Sequence, residues 1–360
     1  MRKKSLFLVI PKRTVVIVIC GVFTLSAFFL VCINRGQVKS VFDIVSLAEE
    51  LNDWQGPVPD PAAQITEKDF IKWMEYKVPL AVMEQALRYD INSYDKEVKL
   101  NWVTLIAYSA AKNYGNFPKN KKLKDMDALV LRLENGEKME DITKDLAYYE
   151  FYSESYGAVL NGFVGEYEIV ESFTENGHPV YAKKYGLKVY SPVASGYEFS
   201  HYRDFGSSRT YGYRRRHLGN DLLGSIGTPI IAVEEGVVEA LGWNQYGGWR
   251  IGIRSRDRKR YYYYAHLRKD HPYHKSLYEG MEVKAGDVIG YLGMTGYSSR
   301  ENVNNISTPH LHFGLQIIFD ESQKEDNNEI WIDVYDIVNL LGRNKMKVVK
   351  DENTKDYNRT

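Results

Sequence analysis

Apolar and polar positions follow three rhythms along this chain, and each predicts a different kind of element. From Thr14 to Asn34 the run TVVIVICGVFTLSAFFLVCIN carries no charge, which matches the ~20 apolar residues a helix needs to cross a bilayer. Between 63 and 163 apolar residues recur at helical spacing. Thr66-Glu67-Lys68-Asp69 resembles a capping box ahead of Phe70, Trp73 and Met74, and Pro79 can open a helix carrying Val82, Met83, Ala86 and Leu87. Asn101 can cap another with Trp102, Leu105, Ile106 and Ser109, closing near Gly115, and more helix is expected around Lys122 to Leu133 and Asp141 to Leu160. From about Val164 the rhythm shortens to alternating segments broken by glycine, such as KKYGLKVYSPV and RIGIRS, a pattern of antiparallel strands.

These rhythms predict a multidomain α+β chain. Residues 1–13 form a cytoplasmic tail, 14–34 a transmembrane helix, 35–62 an extended tether, 63–163 a small helical domain, 164–189 a connecting β segment, 190–342 a mostly antiparallel β domain and 343–360 a charged, flexible tail. Arg2, Lys3, Lys4, Lys12 and Arg13 precede the apolar run. Positive charge on that side places the N-terminus in the cytoplasm and the rest outside the cell membrane. A cleavable signal would show a shorter apolar core and a small-x-small exit, whereas Ser26-Ala27 lies inside the run and Val31 precedes Cys32. The tether ends in Gly56-Pro57-Val58-Pro59-Asp60-Pro61, and proline at this density keeps a chain extended.

Composition narrows the chemistry. The chain has 360 residues, with 47 basic and 47 acidic side chains, so no global field invites nucleic acid. Both cysteines, Cys20 and Cys32, fall in the apolar run. The remainder therefore has no disulfide, thiolate metal site or cysteine nucleophile. Arg214-Arg215-Arg216 reads as a solvated strand face that can also attract an acidic wall polymer. Some of the 28 tyrosines can line a groove for glycan or peptide. No G-x-G-x-x-G opens a helix, so no dinucleotide site is expected.

Five residues carry candidate chemistry: His217 and Asp221 in RRRHLGNDLLG, His266 in YYYYAHL, and His310 with His312 in TPHLHFGL. A catalytic zinc takes three protein ligands and keeps one position open, and this set supplies three with two imidazoles to spare. Strand alternation puts His310 and His312 on one face and Leu311 and Phe313 on the other, and by the same rule Tyr262, Tyr264 and His266 share a face. His178, His201, His271 and His274 lie outside these motifs, and His271-Pro272-Tyr273-His274 reads as a surface loop.

HLGND and HLH match the His-x-x-x-Asp and His-x-His motifs of the lysostaphin/LytM-type zinc endopeptidases that cut peptidoglycan peptides. The resemblance runs from about Tyr190 to Leu341 and includes GTPIIAVEEGVVEALGW, the strand ending in YYAHL, and EGMEVKAGDVIGYLGMTGYS. It implies a C-terminal zinc metallopeptidase domain with one Zn2+ per chain, held by His217, Asp221 and His312. It also implies that His266 and His310 orient water, move its proton and stabilise the oxyanion. The expected function is a membrane-anchored metalloendopeptidase on the wall side, with peptidoglycan stem or cross-bridge peptides as substrates. Two other readings remain. One is a catalytically silent scaffold in a division or sporulation complex. The other is a glycan hydrolase in the helical domain, with Glu75, Glu84 or Glu150 as its acid and the β domain as targeting module.

Overall fold

The structure is a computed structural model that describes residues 70–119, 123–325 and 328–360. The expected anchor, the tether and the capping box at Thr66 lie outside the described residues. Among the described residues no helix is long and apolar enough to cross a membrane.

The chain enters as an extended segment, not the helix expected around Phe70, Trp73 and Met74. Ile71, Met74, Tyr76 and Val78 are buried while Trp73 is exposed. The last three buried positions follow period two, and Pro79 then forces extended backbone at the residue before it. Five helices follow: α1 (Leu80–Ser93), α2 (Trp102–Lys112), α3 (Lys124–Glu134), α4 (Met139–Thr143) and α5 (Tyr149–Leu160). Pro79 is the N-cap of α1. Asn101 caps α2, its side chain accepting from the Thr104 amide. The stretch expected as one helix from Asp141 to Leu160 is broken in two, with Tyr148 in the left-handed region at φ 67°.

Beyond the helices lies a ribbon of β1 (Val164–Phe173) and β2 (Pro179–Leu187). Then come β3 (Ser200–His201), β4 (Ser208–Tyr211), β5 (Tyr213–Arg216), β6 (Asn220–Leu223), β7 (Pro229–Ile231), β8 (Gly236–Asn244), β9 (Gly248–Ser255), β10 (Arg260–Ala265), β11 (Glu282–Val283), β12 (Val288–Tyr291), β13 (His310–Ile317) and β14 (Ile330–Trp331). The main sheet is antiparallel, in the order β11-β8-β9-β10-β13-β6-β3, with β14 also on β13. A short helix, α6 (Tyr335–Leu341), follows. This is a mostly antiparallel β domain with a smaller helical region beside it.

Helices and sheet share one hydrophobic core, from Trp102, Leu105 and Leu160 to Ile251, Tyr264 and Phe313. The described residues all belong to one compact unit, Pro61–Thr360. A buried ion pair reinforces the join: Arg260 donates to Glu234 through Nε (2.8 Å) and Nη2 (3.0 Å), and through Nη1 to the Ala158 carbonyl of α5 (2.7 Å). The backbone approaches this pair so closely that a Cβ on Gly162 would collide with Glu234 Oε1. Removing one partner of such a pair costs about 3–5 kcal/mol, because the other charge is left buried alone.

The C-terminal residues differ from the expected frayed tail. They form a hairpin of β15 (Val348–Lys350) and β16 (Tyr357–Arg359). Met346, Val348 and Tyr357 cover a satellite core of Ala194, Ile231, Val288 and Tyr291. Apolar cover at a few positions within a charged segment is enough to seat it.

Candidate metal centre

β13 carries His312 opposite Asp221 on β6 and Ala265 on β10. Paired residues share a face, so His312, Ala265 and Tyr263 line the open side of the sheet. Tyr262, Tyr264, Leu311 and Phe313 fill the core beneath. His217 ends the chain's passage from β5 towards β6 and hydrogen-bonds back to the Ser207 carbonyl (2.9 Å). Gly219 lets the turn between His217 and Asp221 pass under His312. A Cβ there would lie 2.7 Å from the His312 ring and from the Phe313 carbonyl.

The structure brings His217, Asp221 and His312 together; among the described residues this is the one group of three or more such side chains placed to hold a metal ion. Asp221 Oδ1 lies 2.9 Å from His217 Nε2 and 3.1 Å from His312 Nδ1, and the two nitrogens are 2.9 Å apart. Ligand atoms of a tetrahedral zinc with ~2.0–2.1 Å bonds stand about 3.3 Å from one another, so a shift of a few tenths of an ångström would admit the ion. The chemistry of the donor set fits too. Two imidazole nitrogens and a carboxylate oxygen converge, donor types that zinc takes. Burial works against charge on Asp221, but hydrogen bonds from His217 and His312 hold its carboxyl far below the usual carboxylate range. Burial pushes His312 down from its ordinary value.

His266 and His310 lie at the edge of this trio. The two rings are 4.7 Å apart, and His266 is 5.9 Å from His312. His310 Nε2 lies 3.7 Å from Asp221 Oδ1. Strict alternation would have put His266 beneath the sheet with Tyr262 and Tyr264. Its backbone turns left-handed instead, at φ 62°, which redirects the ring to the groove side with Tyr263 and Ala265. Burial pushes the His266 imidazole well below its ordinary value, and the neighbouring His310 and His312 add to the shift. His266 Nδ1 lies 2.9 Å from the Thr295 carbonyl and His310 Nδ1 lies 2.8 Å from the Thr308 carbonyl. A carbonyl only accepts, so each Nδ1 carries the proton and each Nε2 is left to exchange one.

Several contributors have no motif to reveal them. His217 Nδ1 faces the Asp204 carbonyl (3.1 Å) and carboxylate (3.3 Å). Arg209 Nη2 bridges Asp204 Oδ2 (2.9 Å) and Asp221 Oδ2 (2.8 Å), leaving Asp221 Oδ1 for the histidines. Asn220 donates to Asp204 Oδ1 (2.7 Å), and its own Oδ1 meets His201 Nδ1 (2.7 Å). These contacts fix the orientation of the metal-type side chains. In the sequence, Asp204 and Arg209 are single polar residues in a loop and on a short strand, with no spacing to mark them.

The trio opens onto a groove of about 490 Å³. Its walls include Arg215, Tyr246, Arg250, Tyr263, Tyr297 and Trp331. The glutamates weighed for a glycan hydrolase do not reach it: Glu75 pairs with Lys77 (2.7 Å) and Glu84 with Arg343, while Glu150 is exposed on α5. His271 and His274 are also elsewhere. His271 stacks on Tyr291 and meets Asp356 Oδ1 at 2.9 Å, so this part of the expected surface loop is a structural clasp.

Comparison with known proteins finds relatives that match part of the chain. An L-Ala–D-Glu endopeptidase of Bacillus subtilis is 38% identical over 124 residues, 34% of this chain and 36% of its own. Lysostaphin of Staphylococcus simulans is 38% identical over 112 residues, 31% of this chain and 20% of its own. The chain thus spans about a third or less of the length of these curated relatives. The solved catalytic domain of lysostaphin from Staphylococcus simulans aligns at 30% identity over 39% of this chain and 92% of that one, with a TM-score of 0.31. The model of peptidase family M23 matches residues 215–327, a span that holds all five motif residues, and the chain carries a peptidase family M23 domain.

Proposed function

We propose that this chain is a zinc-dependent endopeptidase that hydrolyses peptide bonds in the stem or cross-bridge peptides of peptidoglycan. It works on the outer side of a membrane, to which residues 14–34 anchor it. The observation that carries this reading is the convergence of His217 Nε2, Asp221 Oδ1 and His312 Nδ1 at a groove flanked by two further imidazoles. The relatives named as endopeptidases support the bond type.

His217, Asp221 and His312 would hold the zinc. Bound there, the ion supplies a Lewis acid for the scissile carbonyl and makes water nucleophilic near neutral pH. His266 and His310, each tied through Nδ1 to a carbonyl, present Nε2 to take the proton from water and return it to the leaving amine. No glutamate stands between the ligands to share that work. Burial keeps His266 neutral and therefore ready to accept. Arg209 and Asp204 hold the ligands in place during the cycle.

The test is mass spectrometry of peptides released from purified cell wall by the full chain, with zinc and after chelation. New peptide termini that appear only with zinc are expected. A chain that binds one zinc yet releases no peptide would overturn the reading in favour of the silent scaffold. Protease added to intact protoplasts should remove the catalytic domain, and a fully protected domain would refute the membrane placement.

A further inference from the structure

Among the described residues three arginines lining the groove, Arg215, Arg216 and Arg250, have no carboxylate partner; Arg216 is exposed, and Arg215 and Arg250 are half-buried. Arg215 on β5 lays its guanidinium over the rings of Tyr246 (4.6 Å) and Tyr297 (5.1 Å), and its Nη1 donates to the Tyr211 carbonyl (3.2 Å). Arg250 on β9 lines the same groove, and its Nε is buried without a hydrogen-bond partner. Two other cations of the lining are committed: Arg209 to Asp204 and Asp221, and Lys324 to Glu239.

The Tyr263 hydroxyl lies within the influence of both cations. Burial raises its pKa, while Asn244, Arg250 and Arg215 each lower it. The Tyr263 ring stands 5.8 Å from that of His312, so the charged patch adjoins the cluster where a scissile bond would lie. An unpaired guanidinium at a half-buried position loses hydration without compensation. Its planar fork suits a carboxylate, and its stacking on tyrosine rings orders it before any ligand arrives.

We propose that Arg215, Arg250 and the Tyr263 hydroxyl form a carboxylate subsite, so that this groove selects peptides bearing a free carboxylate close to the cleaved bond. An uncharged glycine bridge would leave both cations unsatisfied. The proposal rests on the hydrolase reading above and adds the charge of its substrate.

The experiment uses the zinc-loaded full chain and sets of synthetic peptides. Within each set the sequence is constant, and either the side-chain or the terminal carboxylate is replaced by carboxamide, which identifies the carboxylate that is read. Wild type should prefer one carboxylate form by about 10–100-fold in kcat/KM, mainly through KM, the scale of a charge-assisted hydrogen bond. In Arg215→Gln and Arg250→Gln that ratio should fall towards one, while Arg250→Lys, which keeps the charge, should retain part of it. A wild-type ratio near one, or a ratio unchanged in the Gln variants, overturns the subsite. If no peptide is cleaved, calorimetric binding of the same peptides decides. Tighter binding of a carboxylate form, erased in Arg250→Gln, keeps the subsite while the hydrolase reading fails. Equal binding of all forms rejects it.

Discussion

Two histidine–carboxylate clusters in this molecule look alike by distance and differ in what they can do. At the groove, His217 Nε2 lies 2.9 Å from Asp221; at the C-terminal hairpin, His271 Nε2 lies 2.9 Å from Asp356. In the first, two imidazole nitrogens and a carboxylate oxygen meet within about 3 Å at an open groove, and Asp204 and Arg209 hold the outer atoms of His217 and Asp221. In the second, donors meet an acceptor: the Tyr291 hydroxyl (2.8 Å) and His271 both point at Asp356 Oδ1, and the His271 and Tyr291 rings stack at 5.0 Å. The second arrangement pins a hairpin, with Asp356 Oδ2 buried and without a hydrogen-bond partner. The first gathers a ligand set that a cation would fit. A short contact between histidine and carboxylate is therefore no sign of a site; the gathering of three ligand atoms at an open groove is.

The contrast can be broken most severely at its centre. His312→Ala should lose most of its zinc and, with it, almost all release of wall peptides. His310→Ala and His266→Ala should keep close to one zinc per chain while losing about 10²–10⁴-fold in rate, the scale of a positioned acid or base. Metal content by atomic spectroscopy, paired with peptide release, separates the two kinds of role. Zinc retained in His312→Ala and lost in His310→Ala would swap them.

A smaller change should come from the residue that orients His217. Asp204→Ala leaves all three ligands in place but removes the carboxylate that both His217 Nδ1 and Arg209 face. Zinc affinity should weaken about 10–100-fold, as read by competition with a chromogenic chelator. Unchanged affinity would show that the Asp204 backbone carbonyl alone orients the ring.

The clasp should respond in the opposite way. Asp356→Ala should keep its zinc and activity but lose about 1–3 kcal/mol of stability, because the buried Tyr291 hydroxyl loses its acceptor. Burial works to raise the Asp356 pKa, but Tyr291 and His271 outweigh it and hold the carboxyl below its ordinary value. A depressed folded-state pKa means that this contribution is present above about pH 4 and is lost as pH falls through the folded value. The difference in melting temperature between wild type and variant should therefore shrink below about pH 4. A difference that persists unchanged into acid would mean that packing, not charge, holds the hairpin.

Local rules made part of this protein legible. Pro79 and Asn101 mark their helix starts because cap chemistry acts within a few residues. His310 and His312 share a face because period two is a property of the strand itself. The motif residues were visible because metal and proton chemistry restricts the residue types that can serve. Nonlocal contacts decided the rest. His266 escapes the alternation of its strand because a left-handed residue, tied through Nδ1 to the Thr295 carbonyl, turns its ring to the other face. Residues 70–79 extend rather than coil because they dock on the sheet side, where Gln323 donates to the Ile71 carbonyl at 2.7 Å. Asp204, Arg209 and Arg250 carry no motif at all, and Arg215 shows in the sequence only as part of the basic run Arg214 to Arg216. Sequence by itself determined which atoms can bind a metal or move a proton. Only the tertiary structure decided which charges are left unpaired around them, because pairing depends on distances between residues far apart in the chain.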